Sequence, residues 1–323
     1  MGSSLFRKLS REELEKVVSS GLGGKFLSAE LMSGGLFNTT YLVETEDFGK
    51  TVLRAGPVNR NLLMPFERRL MEAEKEVYRL CAENGIPASE ILACDTTKTI
   101  LDRDFMFVRY IPGKPMSETA LSLADRERIC KDIGAATAKM HGIKAEKFGR
   151  IVDVASGGGF SRWSDFLLDE YNNWKSIGIP SELFNESELS EIGQIFRRAV
   201  PFLDEIKEPR LVHTDLWLGN ILIYDRGESP RFAAIIDADR AIWGDPAFEF
   251  SSIRWTYGER SFWKGYGAEL SDKASDVVRR SVYTILNNLW NSYVYLCEYN
   301  QPREAERACY EAKTEISVLN MIL

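Results

Sequence analysis

The residues best suited to chemistry lie between positions 211 and 250, in the stretch LVHTDLWLGNILIYDRGESPRFAAIIDADRAIWGDPAFEF. Short apolar runs alternate there with polar loops. The first loop holds His213, Asp215 and Asn220, and a later loop holds Asp237 and Asp239. Phosphoryl transfer to a hydroxyl needs a carboxylate that orients and deprotonates the acceptor, and oxygen ligands for Mg²⁺. Asp215, Asn220 and Asp237 are the right chemical types for these tasks.

Three short strands are expected to position these loops. The runs at 211–212, 221–224 and 232–236 have strand composition, and residues 225–230 are rich in turn formers. We therefore predict a hairpin that presents both polar loops at the same edge. The alternative is that Asp and Asn only cap turns, as they commonly do. The ordered set of polar residues on a strand hairpin favours the functional interpretation.

The spacing His-x-Asp followed by x4-Asn resembles the catalytic loop of protein kinases, where Asp is the base and Asn a metal ligand. Two departures are Thr214 in place of Arg, and Asp237-Ala238-Asp239 in place of Asp-Phe-Gly. These departures resemble the aminoglycoside phosphotransferase and choline kinase superfamily, whose members phosphorylate small molecules. The residues Trp243-Gly244-Asp245-Pro246 also look like that family's continuation after its metal-binding Asp. The resemblance extends from the loop at 34–35 to about Phe250.

This resemblance implies an α+β, bilobal protein-kinase-like fold with ATP between the lobes. A small antiparallel-sheet lobe would span residues 1–112, and a larger, mainly helical lobe would span residues 113–323. A helical insertion at about 153–205 would lie on the substrate side. The change from strand-rich to helix-rich sequence after Gly113 is the domain boundary that composition indicates.

The segment containing Gly34, Gly35, Asn38 and Thr39 is the predicted nucleotide loop. Its GG-x-x-N-x-x-Y form looks like the loop of the small-molecule kinase family, and glycines allow backbone N–H groups to approach phosphates. The loop lacks the Gly-x-Gly-x-x-Gly of protein kinases. A purely structural hairpin turn is the alternative, because Gly-Gly turns are common in hairpins.

Arg54 stands where the resemblance places the lysine that holds the α and β phosphates. Arginine can bind phosphate through two hydrogen bonds, so the substitution is compatible with that role. A solvated strand end is the other interpretation. In kinases a helix glutamate braces this cation; Glu74 is the predicted partner, with Glu72 and Glu76 as alternatives. Surface ion pairs account for most helix glutamates.

An apolar strand is predicted at 105–108, and the resemblance places the connection between the lobes directly after it. Backbone groups of Arg109 and Ile111 would meet the adenine edge there. His141 resembles the family's structural histidine. His213 is expected to support the catalytic loop rather than act as the base, and Asp239 either assists the metal or orients its neighbours.

Composition limits the range of functions. The 323-residue chain has a formal net charge of −7, which argues against general nucleic-acid binding. It contains no apolar run long enough to cross a membrane. The odd number of cysteines, the lack of a CxxC pair and the lack of a signal-peptide pattern indicate a reduced, cytoplasmic protein. With two histidines in the chain, a zinc site of the His and Cys type is not expected.

We therefore predict an ATP-dependent phosphotransferase that acts on a small-molecule hydroxyl. Asp215 would be the base, with His213 beside it, and Asn220 and Asp237 would hold Mg²⁺. The alternatives are a choline, ethanolamine or sugar kinase of the same superfamily, or a nucleotide-binding pseudoenzyme. The pseudoenzyme alternative rests on Arg54 in place of Lys and on the missing Asp-Phe-Gly.

The sequence leaves the acceptor open, because fold-level likeness does not transfer substrate choice. Acidic residues near Asp215 favour a cationic acceptor, and Trp263 and Trp290 favour one with rings. A protein substrate is disfavoured, since neither an Ala-Pro-Glu signature nor an activation segment follows Asp237. The preference for ATP over GTP and the oligomeric state also stay open.

Overall fold

The protein forms two lobes, and the computed structural model describes residues 3–32, 35–225 and 229–323. The strands are β1 (Phe26–Leu31), β2 (Thr39–Thr45), β3 (Gly49–Ala55), β4 (Ile91–Asp95), β5 (Phe105–Arg109), β6 (Lys114–Pro115), β7 (Gly149–Arg150), β8 (Arg210–Val212), β9 (Ile221–Tyr224), β10 (Arg231–Ile235) and β11 (Ile242–Gly244). The helices are α1 (Arg11–Lys16), α2 (Leu70–Glu83), α3 (Leu123–Gly142), α4 (Ile151–Ala155), α5 (Trp163–Ser176), α6 (Glu186–Leu203), α7 (Glu249–Ser252), α8 (Arg260–Tyr266), α9 (Ala274–Tyr293) and α10 (Pro302–Ile322).

The first lobe is built on a five-stranded antiparallel sheet in the order β1-β2-β3-β5-β4. Alternation along β3 sends Leu53 into the core, where it is fully buried, and Arg54 to the opposite face. Thr40 of β2 and Met106 of β5 are the cross-strand neighbours of Arg54. Helix α2 lies beside the sheet against β4. The predicted strand at 105–108 is present as β5.

The connection between the lobes is short. Strand β5 ends at Arg109, and β6, which begins at Lys114, already pairs with β9 in the second lobe. The chain therefore leaves the five-stranded sheet between residues 110 and 113. The predicted boundary at 112 falls inside this segment, although the division into two domains stays a prediction.

The predicted catalytic hairpin is present as β9 and β10, which pair antiparallel. The loop before β9 and the loop after β10 therefore lie at the same end of the hairpin, as expected. Strand β8, predicted at 211–212, pairs with β11 in a separate three-stranded sheet with β7. Thr214, at φ 70°, turns the chain between β8 and the hairpin. The partner strand β11 has three residues and was not predicted.

The second lobe is mainly helical, and α3 lies at its centre. Helix α3 packs along α8, and α9 packs along α10. Helix α9 is followed directly by a π-helical segment, Val294–Glu298. The predicted insertion contains α4, α5 and α6. No helix of the described chain is long and apolar enough to cross a membrane.

Candidate active site

A cleft of about 660 Å³ lies between the sheet lobe and the helical lobe. The loop between β1 and β2 and the end of β3 form one side of it. The loops at the end of the β9–β10 hairpin form its floor. Helix α9 and the segment after it form the other side. Residues distant in the sequence thus meet at one opening.

Asp215 and Asn220 are adjacent on the floor of the cleft. The Asn220 side-chain Nδ2 donates to the Asp215 carbonyl oxygen at 2.8 Å and to Asp215 Oδ2 at 3.2 Å. This arrangement leaves Asn220 Oδ1 available to a ligand. Burial raises the pKa of Asp215 to about 6, although the nearby Arg240 and His213 act in the opposite direction. A carboxylate with such a pKa is still ionised at neutral pH and is more basic than an exposed one.

His213 is fully buried, and both of its ring nitrogens have protein partners. Nε2 lies 3.0 Å from the carbonyl oxygen of Ile236, and Nδ1 accepts the Asp215 backbone N–H at 3.2 Å. The ring therefore joins the Asp215 loop to the end of β10, immediately before Asp237. This geometry supports a positioning role for His213 and leaves Asp215 as the base candidate.

Glu249 is a buried carboxylate that sequence reasoning did not identify. Its Oε2 accepts the backbone N–H of His213 at 2.8 Å and lies 3.4 Å from Nε2 of His141. The other ring nitrogen of His141 lies 2.8 Å from the hydroxyl of Tyr266. His141 is thus enclosed by protein groups. In the sequence Glu249 stands between two phenylalanines, at the start of α7, and this apolar setting was the signal that could have identified it as a buried carboxylate.

Arg54 joins three carboxylates above the floor of the cleft. Its Nη1 contacts both oxygens of Glu74, which is fully buried. Its Nη2 contacts Asp237 Oδ1 and lies 3.3 Å from Asp239 Oδ2. Burial of Asp239, together with the negative charges of Asp237 and Glu74, holds its pKa well above the usual range. The guanidinium of Arg54 offsets the mutual repulsion of these carboxylates.

The three candidate glutamates of α2 have different partners. Glu72 pairs with Arg69 at 2.7 Å and Glu76 pairs with Arg79 at 2.5 Å, both at the surface. Of the three, Glu74 contacts Arg54.

Asp237 adopts a backbone conformation that is uncommon for a residue with a side chain, at φ 64°. The Tyr78 hydroxyl on α2 accepts the Asp237 backbone N–H at 2.9 Å. Asp237 is therefore held from the sheet lobe by Tyr78 and by Arg54. Its carboxylate is partly exposed to the cleft, at 41%.

The oxygen atoms at this point fit a divalent cation of the magnesium type. Asn220 Oδ1 and the Asp237 carboxylate are hard donors, and the Ile236 N–H bonded to the Asn220 carbonyl at 2.9 Å brings the two residues together. Carboxylate oxygens of Glu74, Asp237 and Asp239 also lie within 4.8 Å of one another. All three contact Arg54, but the Glu74 and Asp239 side chains are 0% and 10% exposed, whereas the Asp237 carboxylate is 41% exposed, so Asn220 Oδ1 and Asp237 are the donors open to a cation.

The predicted nucleotide loop is only partly at the cleft. Gly34 lies outside the described residues, while Gly35 and Asn38 line the cleft. Asn38 Oδ1 is buried and has no hydrogen-bond partner within the described chain. Thr39 is buried, and its hydroxyl donates to the Arg7 carbonyl at 3.1 Å. Thr40, on the alternate face of β2, lines the cleft instead.

Arg109 and Ile111 lie in the connection between the lobes and are not among the described residues that line the cleft. The Arg109 backbone N–H donates to the Glu90 carbonyl at 2.8 Å, and the Ile111 carbonyl accepts the Gly113 N–H at 2.8 Å. Contact of the backbone at Arg109 and Ile111 with a nucleotide base stays a prediction.

Two arginines at the cleft were not predicted. Arg150 forms a two-point ion pair with Glu170, with contacts of 2.9 and 2.5 Å, and stacks 3.6 Å above the Phe66 ring. Arg240 donates to Glu67 at 2.6 Å. The position of Arg240 directly after Asp239 was the available signal. Nothing near Arg150 in the sequence distinguished it from a surface residue.

Comparison with known proteins shows which protein family this chain resembles. The model of the phosphotransferase enzyme family matches residues 28–281. The acyl-CoA dehydrogenase family member 10 of Mus musculus is 23% identical over 66% of this chain and 19% of that protein. The chloroplastic protein-ribulosamine 3-kinase of Arabidopsis thaliana is 28% identical over 52% of this chain and 51% of that protein. A probable ketoamine kinase of Vibrio cholerae is 21% identical over 81% of this chain and 88% of that protein. The matched region thus spans about half or less of the first two relatives.

Solved structures share the fold. A thermostable mutant of aminoglycoside phosphotransferase APH(4)-Ia, in ternary complex with AMP-PNP and hygromycin B, superposes with a TM-score of 0.66 at 17% identity, covering 94% of this chain and 98% of that one. A putative fructosamine-3-kinase from Thermobifida fusca gives a TM-score of 0.65 at 15% identity, covering 95% of this chain and 100% of that one. The predicted α+β, bilobal protein-kinase-like fold is confirmed. With the family model matching residues 28–281, the chain belongs to the phosphotransferase enzyme family.

Proposed function

We propose that this protein is a Mg²⁺- and ATP-dependent kinase that phosphorylates a hydroxyl of a small molecule. One observation carries the proposal: Asp215, Asn220, Asp237 and Arg54 line or border a single cleft between the two lobes. Family membership supports it, as do the relatives named as ribulosamine and ketoamine kinases. The structural neighbour in complex with AMP-PNP supports ATP as the phosphoryl donor.

In this mechanism Asp215 accepts a hydrogen bond from the acceptor hydroxyl and orients it. The acceptor oxygen forms a bond to the γ-phosphorus, the bond from that phosphorus to the β–γ bridging oxygen breaks, the hydroxyl proton passes to Asp215 and ADP leaves. The raised pKa of Asp215 suits it to receive that proton. Asn220 positions the carboxylate through its Nδ2 hydrogen bonds.

Asn220 Oδ1 and the Asp237 carboxylate would hold the metal, and bound Mg²⁺ would neutralise charge that develops on the phosphates. The guanidinium of Arg54 lies beside Asp237 and supplies positive charge at the same end of the cleft. The buried Asn38 Oδ1, unpartnered within the described chain, marks the β1–β2 loop as a second point where a ligand would make contact.

The test is a coupled assay of ATP consumption with aminoglycosides, choline, ethanolamine and sugars as acceptors. We expect Asp215→Asn to lower kcat by about 10²- to 10⁴-fold, the usual contribution of a general base. Asp132→Asn, at an exposed position on α3, is the matched control and should keep the wild-type rate. Full acceptor-dependent turnover by the Asp215 variant would contradict the assignment of the base. ATP binding without turnover on any acceptor would favour the pseudoenzyme alternative.

A further inference from the structure

An exposed indole lies on the catalytic loop, two residues after Asp215. Trp217 is 51% exposed and lines the cleft. Its ring lies against Gly219: a Cβ at that position would be 2.6 Å from Cε2 of the indole and closer still to Cζ2 and Cη2. Because real Cβ atoms do not approach so closely, the missing side chain at 219 is what allows the ring to rest on the backbone. The ring therefore lies against the backbone at Gly219, and the rest of its surface is open to the cleft.

One face of α9 borders the same cleft. Asn287, Trp290, Asn291 and the following Val294 recur at spacings of three and four residues, so they share one side of the helix. Neither the Asn287 nor the Asn291 side-chain amide hydrogen-bonds to another residue of the described chain. Each amide offers both donors and an acceptor, which suits neutral hydroxyl groups.

The charges on this side of the cleft are balanced. Arg150 is paired with Glu170 and Arg240 with Glu67, so neither guanidinium is left to bind an anion. Among the carboxylates that the described residues contribute to the cleft, Asp237 and Asp239 pair with Arg54, and Asp215 is the base candidate. Glu304 is the remaining carboxylate of this set, and it lies at an exposed position on the rim of the cleft. A polycation would require several free carboxylates.

We propose that Trp217, seated on Gly219, is the stacking platform for the phosphate acceptor, and that this acceptor is an uncharged, ring-bearing polyhydroxyl compound. The inference rests on the proposed phosphotransfer to a small-molecule hydroxyl and names the class of that molecule. The flat indole contacts one face of the acceptor ring. The amides of Asn287 and Asn291 bind its hydroxyl groups, and Asp215 deprotonates the hydroxyl that receives the phosphate. This reverses the expectation of a cationic acceptor.

The experiment compares acceptor kinetics of Trp217→Ala, Trp217→Phe and Gly219→Ala with those of the wild type. The probes are methyl glucoside and myo-inositol as uncharged rings, sorbitol as an acyclic polyol and kanamycin as a polycation. We expect the rings to be the best acceptors. Trp217→Ala should raise the acceptor KM about 3- to 10-fold, which corresponds to the loss of one aromatic stacking contact, with little change in kcat. Trp217→Phe should restore most of the affinity.

Gly219→Ala should reproduce the KM effect of Trp217→Ala, since the added methyl group displaces the indole without touching the acceptor. Tyr310→Ala removes an aromatic side chain that is 72% exposed on α10, outside this cleft, and is the control expected to match the wild type. Preserved melting temperature and ATP affinity show that each variant is folded. If the loop does not tolerate Gly219→Ala, the comparison of Trp217→Ala with Trp217→Phe still decides the outcome.

Better turnover of kanamycin or sorbitol than of the two uncharged ring compounds, methyl glucoside and myo-inositol, would overturn the inference. It would leave the phosphotransfer proposal intact. An unchanged acceptor KM in Trp217→Ala would have the same consequence. Failure of the phosphotransfer proposal has a different signature, which is ATP binding without transfer to any acceptor of the wider panel. An absence of transfer to all four probes would count against both.

Discussion

At the scale of single residues, Arg54 is the side chain on which the charge balance of the site depends. It contacts Glu74 from α2 as well as Asp237 and Asp239 from the loop after β10. The Glu74 carboxylate is fully buried, and the Arg54 side chain is 11% exposed. A buried carboxylate that loses its counter-charge is strongly destabilising, whereas replacing both partners with apolar groups is often tolerated.

We therefore expect Arg54→Met to lower the free energy of unfolding by about 3–5 kcal/mol. The double variant Arg54→Met with Glu74→Met should recover part of that loss. Urea denaturation measures both. Arg79→Met, on the exposed side of α2, removes a surface ion pair and should cost no more than about 1 kcal/mol. If the Arg54 variant lost as little as the Arg79 variant, the cluster would contribute nothing to stability.

At the scale of elements, the contact between α3 and α8 positions the network behind the catalytic loop. Gly134 of α3 lies against the α8 backbone, where an added Cβ would be 2.8 Å from the Tyr266 nitrogen and closer still to the Phe262 carbonyl oxygen. The close approach brings the Tyr266 hydroxyl to His141 of α3. From His141 the contacts continue through Glu249 to the backbone of His213.

Gly134→Ala should therefore separate the two helices and destabilise the protein by about 1–3 kcal/mol, the usual cost of overpacking. Gly142→Ala at the end of the same helix is a matched control, because no heavy atom lies within 4 Å of a Cβ there. The control should be neutral or slightly stabilising, since alanine restricts the unfolded chain. Equal melting temperatures of the two variants would show that the helices can separate without cost.

At the scale of the whole molecule, residues before α2 are bound to the end of α9 and to the segment that follows it. The Tyr293 hydroxyl donates to the Leu62 carbonyl at 3.0 Å, and the Ser4 backbone N–H donates to the Glu298 carbonyl at 2.8 Å. The Glu298 side chain is fully buried beside Glu67. Burial, followed by the negative charge of Glu67, raises the pKa of Glu298 to about 11.

This shift makes stability depend on pH. The folded protein keeps Glu298 protonated to a higher pH than the unfolded chain does. The stabilisation by that proton is therefore complete below the ordinary pKa of 4.5 and decreases as the pH rises towards 11. Glu298→Gln, which is neutral at every pH, should match the wild-type melting temperature near pH 4.5 and exceed it at pH 8. Differential scanning calorimetry at the two pH values measures this.

Glu306→Gln, at an exposed position on α10, is the control for this effect. Its change in melting temperature should be the same at both pH values. A gain in the Glu298 variant that does not grow with pH would contradict a protonated Glu298 at neutral pH.

The local part of the site was predictable from the sequence. Asp215 and Asn220 are five residues apart in one loop, and β9 and β10 are joined by a short turn, so spacing and strand composition determine their neighbourhood. The family and the two-lobed fold followed from the same motif. Hydrogen bonds within such a loop or hairpin join residues a few positions apart, and hydrophobic periodicity repeats over a similar distance. Both therefore leave a pattern that can be recognised in the linear sequence.

Only the tertiary structure decided which distant groups meet. Arg54 and Asp237 are 183 residues apart, and the choice of Glu74 over Glu72 and Glu76 depends on which side of α2 faces the sheet. The pairing of β8 with β11 and the meeting of the α9 amides and Trp217 at one cleft were likewise absent from any local pattern. The physical reason is that the sequence specifies which residues are apolar, charged or turn-forming, whereas the packing of helices and sheets selects the partner of each buried charge.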